Sequence, residues 1–201
     1  YKNLLSNKPH TKMSIFHNQY RAPTTVDLAI KKSRFASKFE VTNPQGNIIF
    51  KVATKILPWL TVVTIVKRAD GNTIATIKQQ ISFFESRWRV YRGESVDDKD
   101  NIFTAKAHFL YSGHRLEVFL AKNTSEHLKD FVCTRPHTNG PLKIFSGNSE
   151  IPNNLMAEVH KTCSFWKESI SCKILPNVDQ AFVLTLFALS EAVEGSRYNG
   201  H

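Results

Sequence analysis

From Thr25 onward, polar and apolar positions alternate, the period of strands whose successive side chains face opposite ways. The alternation predicts strands at Val26–Ile30, Lys38–Val41, Ile48–Val52 and Thr73–Ile77. Thr61–Val66 is β-branched at every position, a strong strand signal. Further strands fall at Trp88–Tyr91, Ile102–Lys106, Arg115–Leu120, Asp130–Cys133, Leu142–Phe145, Ala157–His160 and Ser169–Ile174. Asn43-Pro44-Gln45-Gly46 and Asp70-Gly71 are turn sequences between neighbouring strands, so the early strands read as hairpins. About twelve short strands at short spacing predict an all-β barrel or sandwich.

One segment breaks this period. Asn177 with Gln180 has capping-box spacing, Asp179 lies in the first turn, and Gly195 suits a helix stop. Between them, Ala181–Leu189 is apolar apart from Thr185. A helix apolar on every side is buried all round or lies in a membrane, and nine residues are too few to cross one. The prediction is a closed antiparallel barrel around a central C-terminal helix, with Phe182, Leu184, Leu186 and Phe187 filling the interior.

Residues 1–22 show no sustained period and read as a mobile basic tail before a single domain at 23–201. The chain begins at Tyr1, and Met13 is an alternative start that would place residues 1–12 outside the native protein. With 201 residues, 41% hydrophobic and 22% charged, the composition is that of a globular domain and excludes fibrous and low-complexity classes. No secretory signal is visible, and three cysteines (Cys133, Cys163, Cys172) are too few, and odd in number, for a disulfide scaffold. Reduced thiols in an intracellular protein are the expectation, which leaves the Asn123-Thr124-Ser125 triplet without meaning.

The charge of +10 is unevenly placed. Residues 1–92 carry 16 Lys and Arg against 4 acids, whereas residues 93–201 carry 11 against 13. Such asymmetry points to a polyanionic partner, an anionic lipid surface or nucleic acid. Arg87 and Arg89 lie two apart in a strand and project from one face, opposite Trp88 and Val90. Guanidinium forks match phosphate oxygens, so the pair is a candidate lipid-phosphate site. Lys67 with Arg68, and Lys31 with Lys32 and Arg34, are further basic clusters near turns. Asp97-Asp98-Lys99-Asp100 lacks the twelve-residue calcium-loop pattern, and His160, Cys163 and Cys172 lack zinc-site spacing, so no metal and no cofactor are expected. No nucleophile-elbow, phosphate-loop or zinc-protease motif is present, which predicts a protein that is not an enzyme.

Arg87-Trp88-Arg89-Val90-Tyr91-Arg92-Gly93-Glu94-Ser95 resembles the Arg-Trp-x-Val-x-Arg-Gly-Glu-Ser signature of the plant LURP-one-related family. Val41–Val52 is similar to that family's first hairpin, and Pro176–Val183 to the start of its C-terminal helix. The resemblance spans residues 25–194. It implies the fold of the Tubby C-terminal domain and the phospholipid scramblases, an antiparallel barrel of twelve strands around an apolar C-terminal helix. It also implies kinship with membrane-tethered transcription factors and a role in plant defence. Tubby domains bind phosphoinositides, but no Tubby ligand motif matches here residue by residue. The functional expectation is a monomeric, non-enzymatic binding domain. It docks on anionic phospholipid or phosphoinositide membranes through Arg87, Arg89, Lys67, Arg68, Lys31 and Lys32. Its expected place is cytoplasmic, peripheral at the plasma membrane, and nuclear. A nucleic-acid-binding regulator and a protein-interaction scaffold are the alternatives.

Overall fold

The computed structural model describes residues 15–33, 38–57, 61–80, 86–110, 113–137, 140–164 and 167–198. Twelve strands follow one another: β1 (Val26–Lys32), β2 (Lys38–Thr42), β3 (Ile48–Leu57), β4 (Thr61–Arg68), β5 (Thr73–Gln80) and β6 (Ser86–Arg92). They continue as β7 (Asn101–Phe109), β8 (His114–Leu120), β9 (Phe131–Arg135), β10 (Leu142–Ser146), β11 (Leu155–Ser164) and β12 (Lys167–Ile174), and the chain then forms α1 (Gln180–Tyr198). Each strand pairs antiparallel with its sequence neighbours, and β12 closes on β1. Closure gives every strand a partner on both sides, so the sheet has no edge strand. All twelve predicted strands are present.

The alternation read from the sequence is the wall of this barrel. Along β8, His114, Leu116, Val118 and Leu120 point inward, while Arg115 and Glu117 point outward. The inward side chains surround α1, whose Phe182, Leu184, Leu186 and Phe187 are at most 1% exposed. Phe182 meets Phe103 edge-on at 5.6 Å and Phe131 at 4.7 Å, and Phe187 meets Phe39 at 5.5 Å. Burying each such side chain contributes about 1.5–3 kcal/mol. The polar residues of this helix are satisfied inside: Thr185 donates to the Ala181 carbonyl at 2.7 Å, and Ser190 Oγ lies 2.8 Å from His114 Nε2.

Two boundaries differ from the prediction. Asp179, not Asn177, caps α1: its Oδ1 accepts from the Phe182 N–H at 3.1 Å. Asn177 is instead the corner before the helix, in the left-handed region at φ 62°. Gly195 does not stop the helix, which runs on to Tyr198.

The larger correction concerns residues 15–22, expected as mobile tail. Ile15 and Phe16 belong to the core. Their N–H groups donate to Asp179 Oδ2 at 3.1 and 2.9 Å, and Arg92 donates to their carbonyls at 3.4 and 3.3 Å. Asn18–Tyr20 form a 3-10 turn, and Arg21 bridges to Asp179 and donates to the Asn177 carbonyl at 2.8 Å. This segment closes the barrel mouth through which α1 enters. The rest of the predicted tail, residues 1–14, and Arg34 lie outside the described residues.

Candidate functional site

Strand pairing sets the charged residues of the outer wall in rows. Lys31 on β1 opposes Glu40 on β2, Glu40 opposes Lys51 on β3, and Lys51 opposes Lys67 on β4. Directly opposed residues share a sheet face, so these four side chains stand side by side on the outside. At about 4.8 Å per strand the row is roughly 14 Å wide. Lys38 on β2 lies in the next outward row, and the row beyond holds Lys55, Val63, Lys78 and Arg89. Lys31, Lys38, Lys51 and Lys55 are exposed, and Lys67 and Lys78 half-buried. Among the described residues none of these six lysines has an ion-pair or hydrogen-bond partner, and Glu40 is the acid set among them.

The arginine pair behaves differently. Arg87 and Arg89 do face outward, with Trp88 and Val90 fully buried behind them. Both, however, are engaged. Arg87 grips Glu126 with both terminal nitrogens, at 2.9 and 3.1 Å, and Lys106 joins the same carboxylate at 3.0 Å. Burial pushes the Glu126 carboxyl up, but the hydrogen bonds from Arg87 and Lys106 outweigh it and hold it below the usual range. Arg89 is ion-paired with Asp98. The bidentate fork pins the 121–130 loop, where Glu126 itself adopts a left-handed φ of 50°.

The six basic residues predicted as a lipid site are therefore not gathered at one place. Lys31 and Lys67 share a row. Lys67 and Arg89 oppose Thr73 and Lys78 of β5, which puts them about 17 Å apart along the strand direction. Arg68 ends β4 beside Asp70, 3.4 Å away. Lys32 has inward parity and reaches Glu191 of α1 at 3.5 Å. Sequence reasoning missed Lys38, Lys51, Lys55 and Lys78. Lys51 and Lys55 carried the usable signal, since a spacing of four along a strand puts both on one face.

A second charged cluster lies inside the other mouth. Arg135, fully buried, directs Nη1 at Glu191 (3.0 Å) and Glu194 (2.7 Å). Lys161 meets the same two carboxylates at 2.7 and 3.5 Å. Burial pushes the Glu191 carboxyl up, but the charges of Lys161 and Arg135 and the hydrogen bond from Lys161 outweigh it and hold it below its usual range. Gly113 packs against this corner, where a Cβ would stand 2.0 Å from the Arg135 carbonyl oxygen. The cluster ties the C-terminal half of α1 to β9 and β11.

The thiols of Cys133 and Cys172 are buried, which pushes both pKa values up, that of Cys172 to about 12, and suits packing rather than reactivity. The Cys163 side chain lies outside the described residues. Among the described residues no three His, Cys, Asp or Glu side chains gather as a metal-ligand set. Among the described residues no helix is long and apolar enough to cross a membrane.

A twelve-stranded closed barrel threaded by its own apolar helix, with the signature strand at β6, defines the class. The chain belongs to the LURP-one-related family, whose model matches residues 26–190. It is 28% identical over 181 residues to Protein LURP-one-related 15 of Arabidopsis thaliana, covering 87% of this chain and 83% of that one. It is 26% identical over 186 residues to Protein LURP1 of the same plant, covering 90% and 89%. The X-ray structure of an Arabidopsis thaliana protein superposes with a TM-score of 0.70 at 26% identity, covering 90% of this chain and 98% of that one. The family match starts at Val26, so the folded segment at Ile15–Arg21 lies outside it.

Proposed function

We propose that this domain is a non-enzymatic module that docks reversibly on anionic phospholipid membranes through the β1–β5 face. The observation that carries the reading is the set of six outward lysines, Lys31, Lys38, Lys51, Lys55, Lys67 and Lys78, unpaired among the described residues and set around Glu40. Arg87 and Arg89 already hold carboxylates, so their contribution is to fold the 93–100 and 121–130 loops rather than to bind lipid. A Lys or Arg near an anionic bilayer contributes about 1 kcal/mol, and the attraction fades within a Debye length. Binding is therefore salt-sensitive and reversible, which suits a protein that works at the plasma membrane and leaves it.

The test is co-sedimentation with vesicles of phosphatidylcholine containing phosphatidylserine, at low and physiological salt. Lys51→Glu/Lys55→Glu/Lys67→Glu replaces three attractive charges, worth about 3 kcal/mol, by three repulsive ones, a loss of at least roughly two orders of magnitude in affinity. Surface substitutions of this kind leave stability nearly unchanged. Undiminished sedimentation of the folded triple variant overturns the face. Wild-type protein that ignores the vesicles at low salt overturns lipid docking, and binding to duplex DNA in the same buffer would then favour the nucleic-acid reading.

A further inference from the structure

The mouth covered by the N-terminal segment also carries a pocket of about 340 Å³, open to solvent. Its size lies within the range of small-molecule sites. The apolar part of its lining comes from Ile15, Ile102 and Leu120. Ile15 is held there by the Arg92 guanidinium on its carbonyl and by Asp179 on its N–H. Ile15, which lies outside the family match, thus supplies one part of its wall.

The polar part of the lining is mainly cationic. Arg92, Lys99 and Lys122 line it against the single carboxylate of Asp100. Lys99 is largely exposed and only 3.9 Å from Asp97, and Lys122 is exposed with no ion pair among the described residues.

We infer that this cavity binds a small organic acid. The apolar floor takes its hydrocarbon body, and Lys99 and Lys122 take its carboxylate. The site is separate from the lysine face, since it opens at the β6–β7 and β8–β9 turns rather than on the β1–β5 wall. An inorganic anion satisfies the cations alone and leaves the floor empty, so body and charge are both required.

The experiment is a methyl-detected NMR titration of the full chain with 4-hydroxybenzoate, acetate and inorganic phosphate as probes. The expected result is saturable shifts at the Ile15, Ile102 and Leu120 methyls with 4-hydroxybenzoate, and at least tenfold weaker binding of acetate and phosphate. Lys99→Glu/Lys122→Glu, on exposed turns, keeps the fold and weakens 4-hydroxybenzoate at least tenfold. Four results overturn the inference: no binding of 4-hydroxybenzoate, shifts centred elsewhere, phosphate binding as tightly, or a double variant within twofold of wild type. Vesicle binding is read separately and is unaffected by this variant, so failure here leaves the lysine face intact and the reverse holds too.

Discussion

Replacing Arg135 by Met tests whether the buried charge cluster holds α1 in the barrel. Met preserves most of the apolar stem and removes the charge. Breaking a buried ion pair from one side costs about 3–5 kcal/mol, because the other charge is left without its partner. Two features reduce that figure here. Lys161 stays 2.7 Å from Glu191 and keeps part of the attraction. Arg135 Nε and Nη2 are buried without partners, so losing them relieves an existing cost. The expected loss is about 2–3 kcal/mol. For a chain of this size each kcal/mol moves Tm by roughly 2–4 °C, so Tm falls by about 4–12 °C.

Urea unfolding at several pH values measures this loss and adds an independent readout. Glu191 has its carboxyl pKa lowered on folding from the ordinary 4.5. A carboxyl lowered in this way stabilises the fold at pH above its unfolded value and loses that contribution as pH falls through the folded one. Wild-type stability therefore drops as pH goes below about 4.5. Arg135→Met raises the folded pKa of Glu191 toward its unfolded value, so the acid side of its profile is flatter. A loss under about 0.5 kcal/mol, the scale of a neutral surface change, together with an unaltered acid limb, would refute the latch.

Two further expectations concern the interior. Leu184→Asp places an unpaired charge beside fully buried Phe182 and Leu186, and no soluble folded protein is expected; soluble expression with near-wild-type melting sinks the central-helix packing. Asp179→Ala removes the α1 cap and both bonds to the N-terminal segment, costing about 2–4 kcal/mol. Hydrogen exchange at Ile15 and Phe16 should accelerate more than at the β8 amides, and equal acceleration at both would show that Asp179 does not anchor the segment.

The wall and the helix were legible because each obeys a local rule. A barrel strand has one wet and one dry face, which writes a period of two, and a helix enclosed on all sides writes an unbroken apolar run. What stayed hidden depends on distant partners. Ile15 and Phe16 are an apolar pair without a period, and the carboxylate that holds them is more than 160 residues away. The true cap was misread because Asn177 has the right chemistry for a cap but turns the chain instead. The lysine face was half visible: Lys31 and Lys67 stood out in basic dipeptides. Single alternating lysines such as Lys51 and Lys55 look like any solvated strand face until pairing register sets them side by side.

The family signature illustrates why a recognisable motif need not be a ligand site. Arg87 and Arg89 hold the carboxylates of Glu126 and Asp98, while Trp88, Val90 and Tyr91 are at most 4% exposed. Arg92 fixes the N-terminal segment by its carbonyls. Gly93 turns at φ 63°, donates to the Ile74 carbonyl at 2.9 Å and accepts from Thr76 Oγ1 at 2.7 Å. Glu94 accepts from Thr73 Oγ1 at 2.9 Å, and Ser95 Oγ accepts from the Asp97 N–H at 3.1 Å. Every side chain of this run, and the backbone at Gly93, is engaged within the protein. The motif therefore specifies how one hairpin is tied to the barrel and to its two flanking loops. An anionic surface approaching β6 would have to displace a bidentate, partly buried Arg87–Glu126 pair, which is stronger than a screened surface contact. Approaching β1–β5 it displaces only water around lysines, and that difference, more than the count of positive residues, is what favours the lysine face.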